Sequence, residues 1–329
     1  MYFGFSDEQR ELAAAAAAVL DATSSPDAVR AAWDAPAGQL DRQLWTRLVD
    51  LGVPFVMVPE EDGGLGFDER ALVLILERAG SVAAPVPIVE SALVAPTLFG
   101  HDVAGSLVAA DLGGSLVAYG ADADLVMLSD HRGICLFARD QVQARPVAAV
   151  DGGRRLAEVD GRGDASAYVD VSAEVQLAHD RMVFGTSALL VGLAQRMLDL
   201  TVEYVTSREQ FGVPIGSFQA VKHHCADALT AVSFARPAVY RAAWSLATGQ
   251  PTVMRDVSMA KAMASDAGIR VAQLALQCHG AIGYTVEYDL HLYLKRAHAL
   301  AAAHGNAAFH RARVAEAIGV NTPNRGRSS

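Results

Sequence analysis

Apolar side chains recur at three- and four-residue intervals over most of the chain, and one interruption in the middle defines its organisation. ELAAAAAAVL (11–20) is built of strong helix formers, and the preceding SDEQ offers Ser6 as a cap with Gln9 reaching back to it. QLWTRLVDLG (43–52) ends at Gly52 and DERALVLILERAG (68–80) at Gly80, residues suited to closing helices. PEEDGGLG (59–66) reads as a tight loop between them, and ESALVAPTLFG (90–100) returns to the helical period. From about residue 111 the texture changes. SLVAYG, DLVMLSD and GICLFARD are short and bounded by Gly or Asp, as antiparallel strands are.

The helical period resumes in TSALLVGLAQRMLDLTVEYVTSR, whose Leu189, Leu190, Leu193, Met197 and Leu200 share a face. A second long helix is expected over FQAVKHHCADALTAVSFARPAVYRAAWSLATG, with a kink at Pro237, and a third over DVSMAKAMASDAGIRVAQLALQCHG. LHLYLKRAHALAAA and NAAFHRARVAEAIG complete a bundle. The expected fold is therefore mainly α with a small β domain. Residues 1–110 form an N-terminal helical domain, 111–180 a reduced β domain, 181–320 a C-terminal four-helix bundle, and 321–329 a flexible tail.

Composition narrows the class. Apolar residues make up 52 % and charged residues 19 %, an ordinary globular balance. A net charge of −10 argues against a nucleic-acid partner, which calls for a basic surplus. No apolar run approaches the roughly 18 residues of a membrane span, and the N-terminus lacks a signal-peptide pattern. Cys135, Cys225 and Cys278 have neither metal nor disulfide spacing, so a reduced, cytoplasmic protein is expected.

Two connections in the bundle carry more chemistry than a helix–helix turn needs: SREQFGVPIGSFQ (207–219) and QCHGAIGYTVEYD (277–289). Backbone amides at such corners, with the Arg208 guanidinium, suit an anion. Gln219 and Gln277 offer amides that can read a purine or ribose edge, Phe211 can pack on a ring, and Gly280 and Gly283 admit a close backbone approach. Neither corner fits a Walker loop or a dinucleotide fingerprint. Taken singly, each could be a packed structural turn.

Both corners in this order, with these flanking helices, resemble the acyl-CoA dehydrogenase family. FSDEQREL and LGVPFVMVPEEDGGLG are similar to that family's N-terminal domain, and VGLAQRMLDLTVEYVTSREQFGVPIGSFQAVKHHCADA and QCHGAIGYTVEYDLHLYLKRA to its C-terminal bundle. The resemblance implies FAD at a subunit interface, with the two corners holding the pyrophosphate and adenosine end of a flavin whose ring lies mainly in the neighbouring subunit. Arg208, Gln210, Phe211 and Gln219 match the first corner. Gln277, His279, Gly280 and Gly283 match the second, with Ala281 where the family has a further glycine.

Three departures point in one direction. The family's base, a carboxylate aligned with the substrate Cα–H bond, has His304 at its usual position, and no Asp or Glu occurs from 290 to 315. The alternative location on the first bundle helix, 181–198, has no carboxylate either, and the family's D-x-x-R there reads Asp180-Arg181-Met182-Val183. The T-E-P-x-A-G-S-D segment over the flavin ring and the tryptophan strand after it have no counterpart; Trp33, Trp45 and Trp244 all lie in helical regions.

What serves a neighbour's flavin is kept, and what serves the chain's own is lost. The resemblance is therefore to the short subunit of actinobacterial heteromeric α2β2 acyl-CoA dehydrogenases acting on bulky, possibly sterol-derived CoA thioesters. It implies a larger acyl-CoA dehydrogenase partner that holds most of the acyl-CoA, with an electron-transfer flavoprotein as acceptor. A stand-alone homo-oligomer using His304 as base and a non-enzymatic scaffold are the alternatives. The other conspicuous residues read as structural. His223-His224 are adjacent and share no helix face, Glu287 is expected to pair with Lys295 or Arg296, and Arg154, Arg155 and Arg162 are expected to be solvated or to meet CoA phosphates.

Overall fold

In a computed structural model, the described residues are 4–320 other than 115, 132, 162, 163 and 171; the tail at 321–329 and Arg162 lie outside them. The N-terminal part comprises α1 (Asp7–Thr23), α2 (Pro26–Asp34), α3 (Gln43–Asp50), α4 (Glu69–Ser81), a π-helical turn (Val89–Val94) and α5 (Ala95–Phe99). The capping box at α1 forms as read: the Gln9 amide donates to Ser6 Oγ at 3.2 Å and the Ser6 amide to Gln9 Oε1 at 3.0 Å. The glycine loop is tight because a Cβ on Gly64 would lie 2.0 Å from the Val58 carbonyl oxygen.

The middle part forms two small sheets. β1 (Val108–Asp111), β3 (Leu125–Asp130), β4 (Gly133–Ala138) and β7 (Ala167–Val169) make one, in the order β1-β3-β4-β7, with β1 parallel to β3. β2 (Val117–Ala118), β6 (Leu156–Gly161) and β5 (Val142–Pro146) make the other, fully antiparallel. Arg155 is not solvated. Its Nε and Nη2 donate to the Asp122 carboxylate, each at 2.8 Å, and its remaining N–H groups donate to the carbonyls of Ala32, Ala35 and Pro36. A guanidinium that fills its donors this way ties the β region to the end of α2, and its burial is tolerable because every donor is satisfied.

The first bundle helix, α6 (Ser172–Ser207), begins within the segment assigned to the β domain, so the boundary at 180–181 falls inside a helix. Its first turns are half polar, SAEVQLAHDR, and carry too weak an apolar stripe to be read as helix. Farther along, α6 meets α4 backbone to backbone. A Cβ on Gly192 would sit 1.9 Å from the Glu77 carbonyl oxygen, and one on Gly80 2.1 Å from that of Leu189. Arg181 on α6 donates to Glu69 on α4 at 2.8 Å, which gives that arginine a structural partner. By length and composition α6 could cross a membrane, but 78 % of its most apolar window is buried among the other helices.

After a hairpin of β8 (Glu209–Gln210) and β9 (Val213–Pro214) come α7 (Gln219–Ala247), α8 (Val253–His279), α9 (Leu290–Ala302) and α10 (Ala307–Ala317). The helix α7 runs unbroken through Pro237. Glu287 is exposed and, among the described residues, has no ion pair. Of its expected partners, Arg296 is buried against Asp151 of the β region, and the Lys295 ammonium lies 5.3 Å over the Trp33 ring. The fully buried Lys261 donates to Ser265 Oγ and to the carbonyls of Ala301 and Gly305, holding the α9–α10 connection on α8.

Candidate functional site

The first corner is a two-residue hairpin. Glu209 pairs with Pro214 and Gln210 with Val213, leaving Phe211 and Gly212 as the turn with φ of 56° and 80°. Positive φ at both positions is what a tight hairpin of this length favours, and glycine supplies it freely, whereas phenylalanine adopts it only under strain. The strained ring is 93 % exposed, touching only the edge of Phe218 with centroids 6.2 Å apart. The Arg208 amide donates to the Tyr204 carbonyl and its own carbonyl accepts from Ile215, each at 2.8 Å, so the backbone is fixed. The Arg208 guanidinium makes no hydrogen bond or ion pair among the described residues and is exposed. It does not satisfy helix carbonyls, as a purely structural arginine at this place would. Gln219 and Gln277 are likewise exposed, and Gln210 turns its amide onto the Glu209 carbonyl at 2.7 Å.

The second corner closes α8. Gly280 takes φ of 63° with nothing within 4 Å of a notional Cβ, and Ala281 is exposed beside it. A Cβ on Gly283 would meet that of His279 at 3.0 Å. His279 itself faces inward at 4 % exposure. Its Nδ1 hydrogen-bonds the Ala275 carbonyl at 2.7 Å, which places the proton there and leaves Nε2 buried without a partner. Burial lowers its pKa, so the ring is neutral. His279 thus differs from the other corner residues: it is a wedge under the surface, not part of it.

That wedge joins the corners. Tyr204 stacks on His279 with centroids 4.4 Å apart and planes at 20°, and Tyr288 completes a three-ring cluster, 4.8 Å from His279 and 5.8 Å from Tyr204. One aromatic residue, a turn before Arg208, therefore carries one corner's backbone on its carbonyl and the other's histidine on its ring. Its place in the sequence, one helical turn before the arginine, is the cue that could have singled it out.

His304 lies elsewhere, on a cavity of about 40 Å³ between the α4–α5 region, the β region and the bundle. Glu90, Tyr119, Arg154, Thr186 and Arg296 also line it. The volume is enough for a few waters, not for a flavin ring or an acyl chain. Arg154 is half-buried at this cavity, so the expectation that it is solvated holds only in part. Burial, then the nearby Arg154 and Lys261 cations, push the His304 imidazole down to about 3. His310 Nε2 donates to the His304 carbonyl at 2.9 Å, so in the neutral ring Nδ1 accepts from Ser258 Oγ at 3.3 Å, and burial pushes the imidazole down to about 4.

Both folded-state values lie below the ordinary 6.5, so the unfolded chain takes up protons that the native one refuses. Stability is full above about pH 6.5 and is lost as pH falls toward 4, at up to about 1.4 kcal/mol per pH unit for each histidine. Urea midpoints measured between pH 7.5 and 4.5 are expected to fall continuously below 6.5. A flat profile down to pH 5 would show that these rings are hydrated in the native state.

The chain is a three-part helix–sheet–helix architecture with two glycine-bearing corners in its bundle, and its relatives identify the class. Residues 6–102 match the family described as Acyl-CoA dehydrogenase, N-terminal domain, and residues 171–319 match Acyl-CoA dehydrogenase, C-terminal domain. The chain belongs to the acyl-CoA dehydrogenase family, whose cofactor is FAD. It is 35 % identical over 308 residues to acyl-CoA dehydrogenase IpdE2 of Mycolicibacterium smegmatis, covering 89 % of this chain and 93 % of the relative. The Mycobacterium tuberculosis protein of the same name is 33 % identical over 308 residues, covering 89 % and 91 %. In structure the chain is similar to one in the ChsE4-ChsE5 complex from Mycobacterium tuberculosis, at 25 % identity and a TM-score of 0.84, covering 98 % of this chain and 100 % of that one. The Tcur3481-Tcur3483 steroid acyl-CoA dehydrogenase shares the fold with a TM-score of 0.84 at 24 % identity, covering 95 % and 98 %.

Measured against FAD, the residues fit unevenly. The exposed side fits: an unpartnered arginine, two free amides and an open glycine corner suit the phosphates and adenosine of a flavin approaching from outside. The interior does not fit, because the cavity at His304 is too small for the ring.

Proposed function

We propose that this chain is the subunit of a heteromeric acyl-CoA dehydrogenase that completes its partner's FAD site without running the reaction in its own cleft. The observation that carries this is the unpartnered, exposed Arg208 beside a hairpin with a fixed backbone, set against an interior cavity of only about 40 Å³. FAD, bound across the subunit boundary, supplies the hydride acceptor for α,β-desaturation of a CoA thioester. The chain's own groups bind and orient. Arg208 grips pyrophosphate oxygens, Gln219 and Gln277 read the adenosine end, and the Tyr204–His279 stack keeps the two corners at fixed spacing. Exposed apolar residues of α6 and α7, Val202 at 42 %, Leu229 at 52 % and Phe234 at 67 %, give a partner's helices something to cover.

The relatives support the wider reading. One similar structure is a complex of two different proteins, ChsE4 and ChsE5, and another is a steroid acyl-CoA dehydrogenase, so a bulky, sterol-derived thioester is the substrate class proposed here, with an electron-transfer flavoprotein as acceptor. His304 is ill suited to the base's role. An imidazole held near 3 is a far weaker base than the task requires at neutral pH. Its backbone φ of 54° makes asparagine the gentle replacement. Turnover of the co-expressed complex is expected to stay within about twofold in His304→Asn. A loss of a thousandfold or more would return the chemistry to this chain's own cleft.

A further inference from the structure

The cavity beside His304 holds more charge than a collapsed cleft needs. Arg154 lines it half-buried, yet its guanidinium makes no hydrogen bond or ion pair with any described residue. Arg296 is pinned through Nε to Asp151, and its Nη2 is buried without an acceptor. The Tyr119 hydroxyl lies beside that guanidinium and is also buried without a well-formed hydrogen bond. Three donor groups therefore converge on one small space. The single carboxylate on its wall, Glu90, forms no ion pair with Arg154, and burial raises its pKa toward the neutral acid.

Asp151 pairs with Arg296 and acts on Arg154 as well, as Glu90 does, and burial pushes the Lys261 ammonium down to about 7, so hydrogen bonding and not bare charge sets the need here. A guanidinium without a hydrogen bond and two orphan donors are costly unless something accepts from them. Backbone strain is concentrated here too. Of the five non-glycine residues with positive φ among those described, Ala83, Tyr119 and His304 line this cavity, and Arg155 adjoins Arg154. Strain of this kind persists where surrounding structure holds it for a purpose.

We propose that this cavity is a binding site for a small monovalent anion, specifically a short-chain carboxylate held by Arg154, Arg296 and Tyr119. A planar carboxylate suits a guanidinium in two places and can accept the tyrosine proton, and the opposite wall of Ala84, Val86, Leu189, Leu193 and Leu300 suits a short alkyl group. The site is separate from the flavin corners, so it stands or falls independently of the half-site reading. Bound carboxylate locks the three parts of the chain at their junction.

Thermal unfolding of the purified protein in sodium acetate, sodium chloride and sodium gluconate at matched ionic strength tests it. Acetate is expected to raise the midpoint saturably, by about 3–6 °C at a hundredfold excess over its dissociation constant, while gluconate, too large to enter, gives no saturable rise. Arg154→Gln is expected to weaken acetate at least about tenfold. Should that variant fail to fold, Tyr119→Phe, which removes one donor, is expected to weaken it about threefold to tenfold. Saturation by chloride but not acetate would overturn the carboxylate assignment. An acetate response no different from gluconate, or one unchanged in the foldable variant, would overturn the site.

Discussion

Arg208→Ala is expected to strip the flavin from the co-expressed complex while leaving the chain folded. The side chain is exposed and touches nothing described, so its loss costs little stability, and its backbone stays held at Tyr204 and Ile215. What it loses is a charge-assisted grip on phosphate, worth about 2–3 kcal/mol, or about 30- to 150-fold in FAD affinity. Arg208→Lys keeps the charge but not the two-point geometry and is expected to recover only part of that loss. Flavin fluorescence released on dilution of the purified complexes measures it. Wild-type retention in Arg208→Ala would mean that the corner is structural, as the plainer reading of an arginine at a helix end had it.

Gly192→Ala is expected to be the most damaging single methyl in the chain. Its Cβ would stand 1.9 Å from the Glu77 carbonyl oxygen and 2.7 Å from the Ser81 amide, both backbone atoms of α4, so no rotamer change relieves it. The two helices must separate at the point where Gly80 makes the reciprocal contact. We expect a loss of about 3 kcal/mol or more, despite the roughly 1 kcal/mol that alanine gains in a helix. Gly268→Ala on α8 is the matched control. Its nearest neighbour is the Leu190 side chain at 3.2 Å, which can move, so its change in midpoint is expected to be small and of either sign. Equal denaturation midpoints for the two variants would contradict the close α4–α6 contact.

The fold class and the candidate flavin-facing side were legible because they rest on local pattern. Helical periodicity, the Ser6–Gln9 cap and the spacing of Arg208, Gln219, Gln277 and Gly280 lie within short windows and fix their own neighbourhoods. What stayed hidden depends on distant partners. Arg155 reads as solvated beside Arg154 and two glycines, and only the fold supplies Asp122, 33 residues away, with three carbonyls at the end of α2. Arg296 finds Asp151 instead of Glu287 for the same reason, 145 residues away in sequence. His279 sits within the motif yet turns inward, because its ring stacks on Tyr204 and packs against Tyr288 there. The cavity is the extreme case: Glu90, Arg154 and His304 come from three separate parts of the chain, and no window of sequence contains any two of them.

The half-site account is tested most directly by the visible spectrum and native mass of the chain purified alone and after co-expression with a larger acyl-CoA dehydrogenase from the same organism. The account predicts a colourless chain alone and a yellow α2β2 complex with about two FAD per four chains, since each flavin needs one corner from this subunit and one ring pocket from the other. A yellow, active homo-oligomer of this chain alone would contradict it.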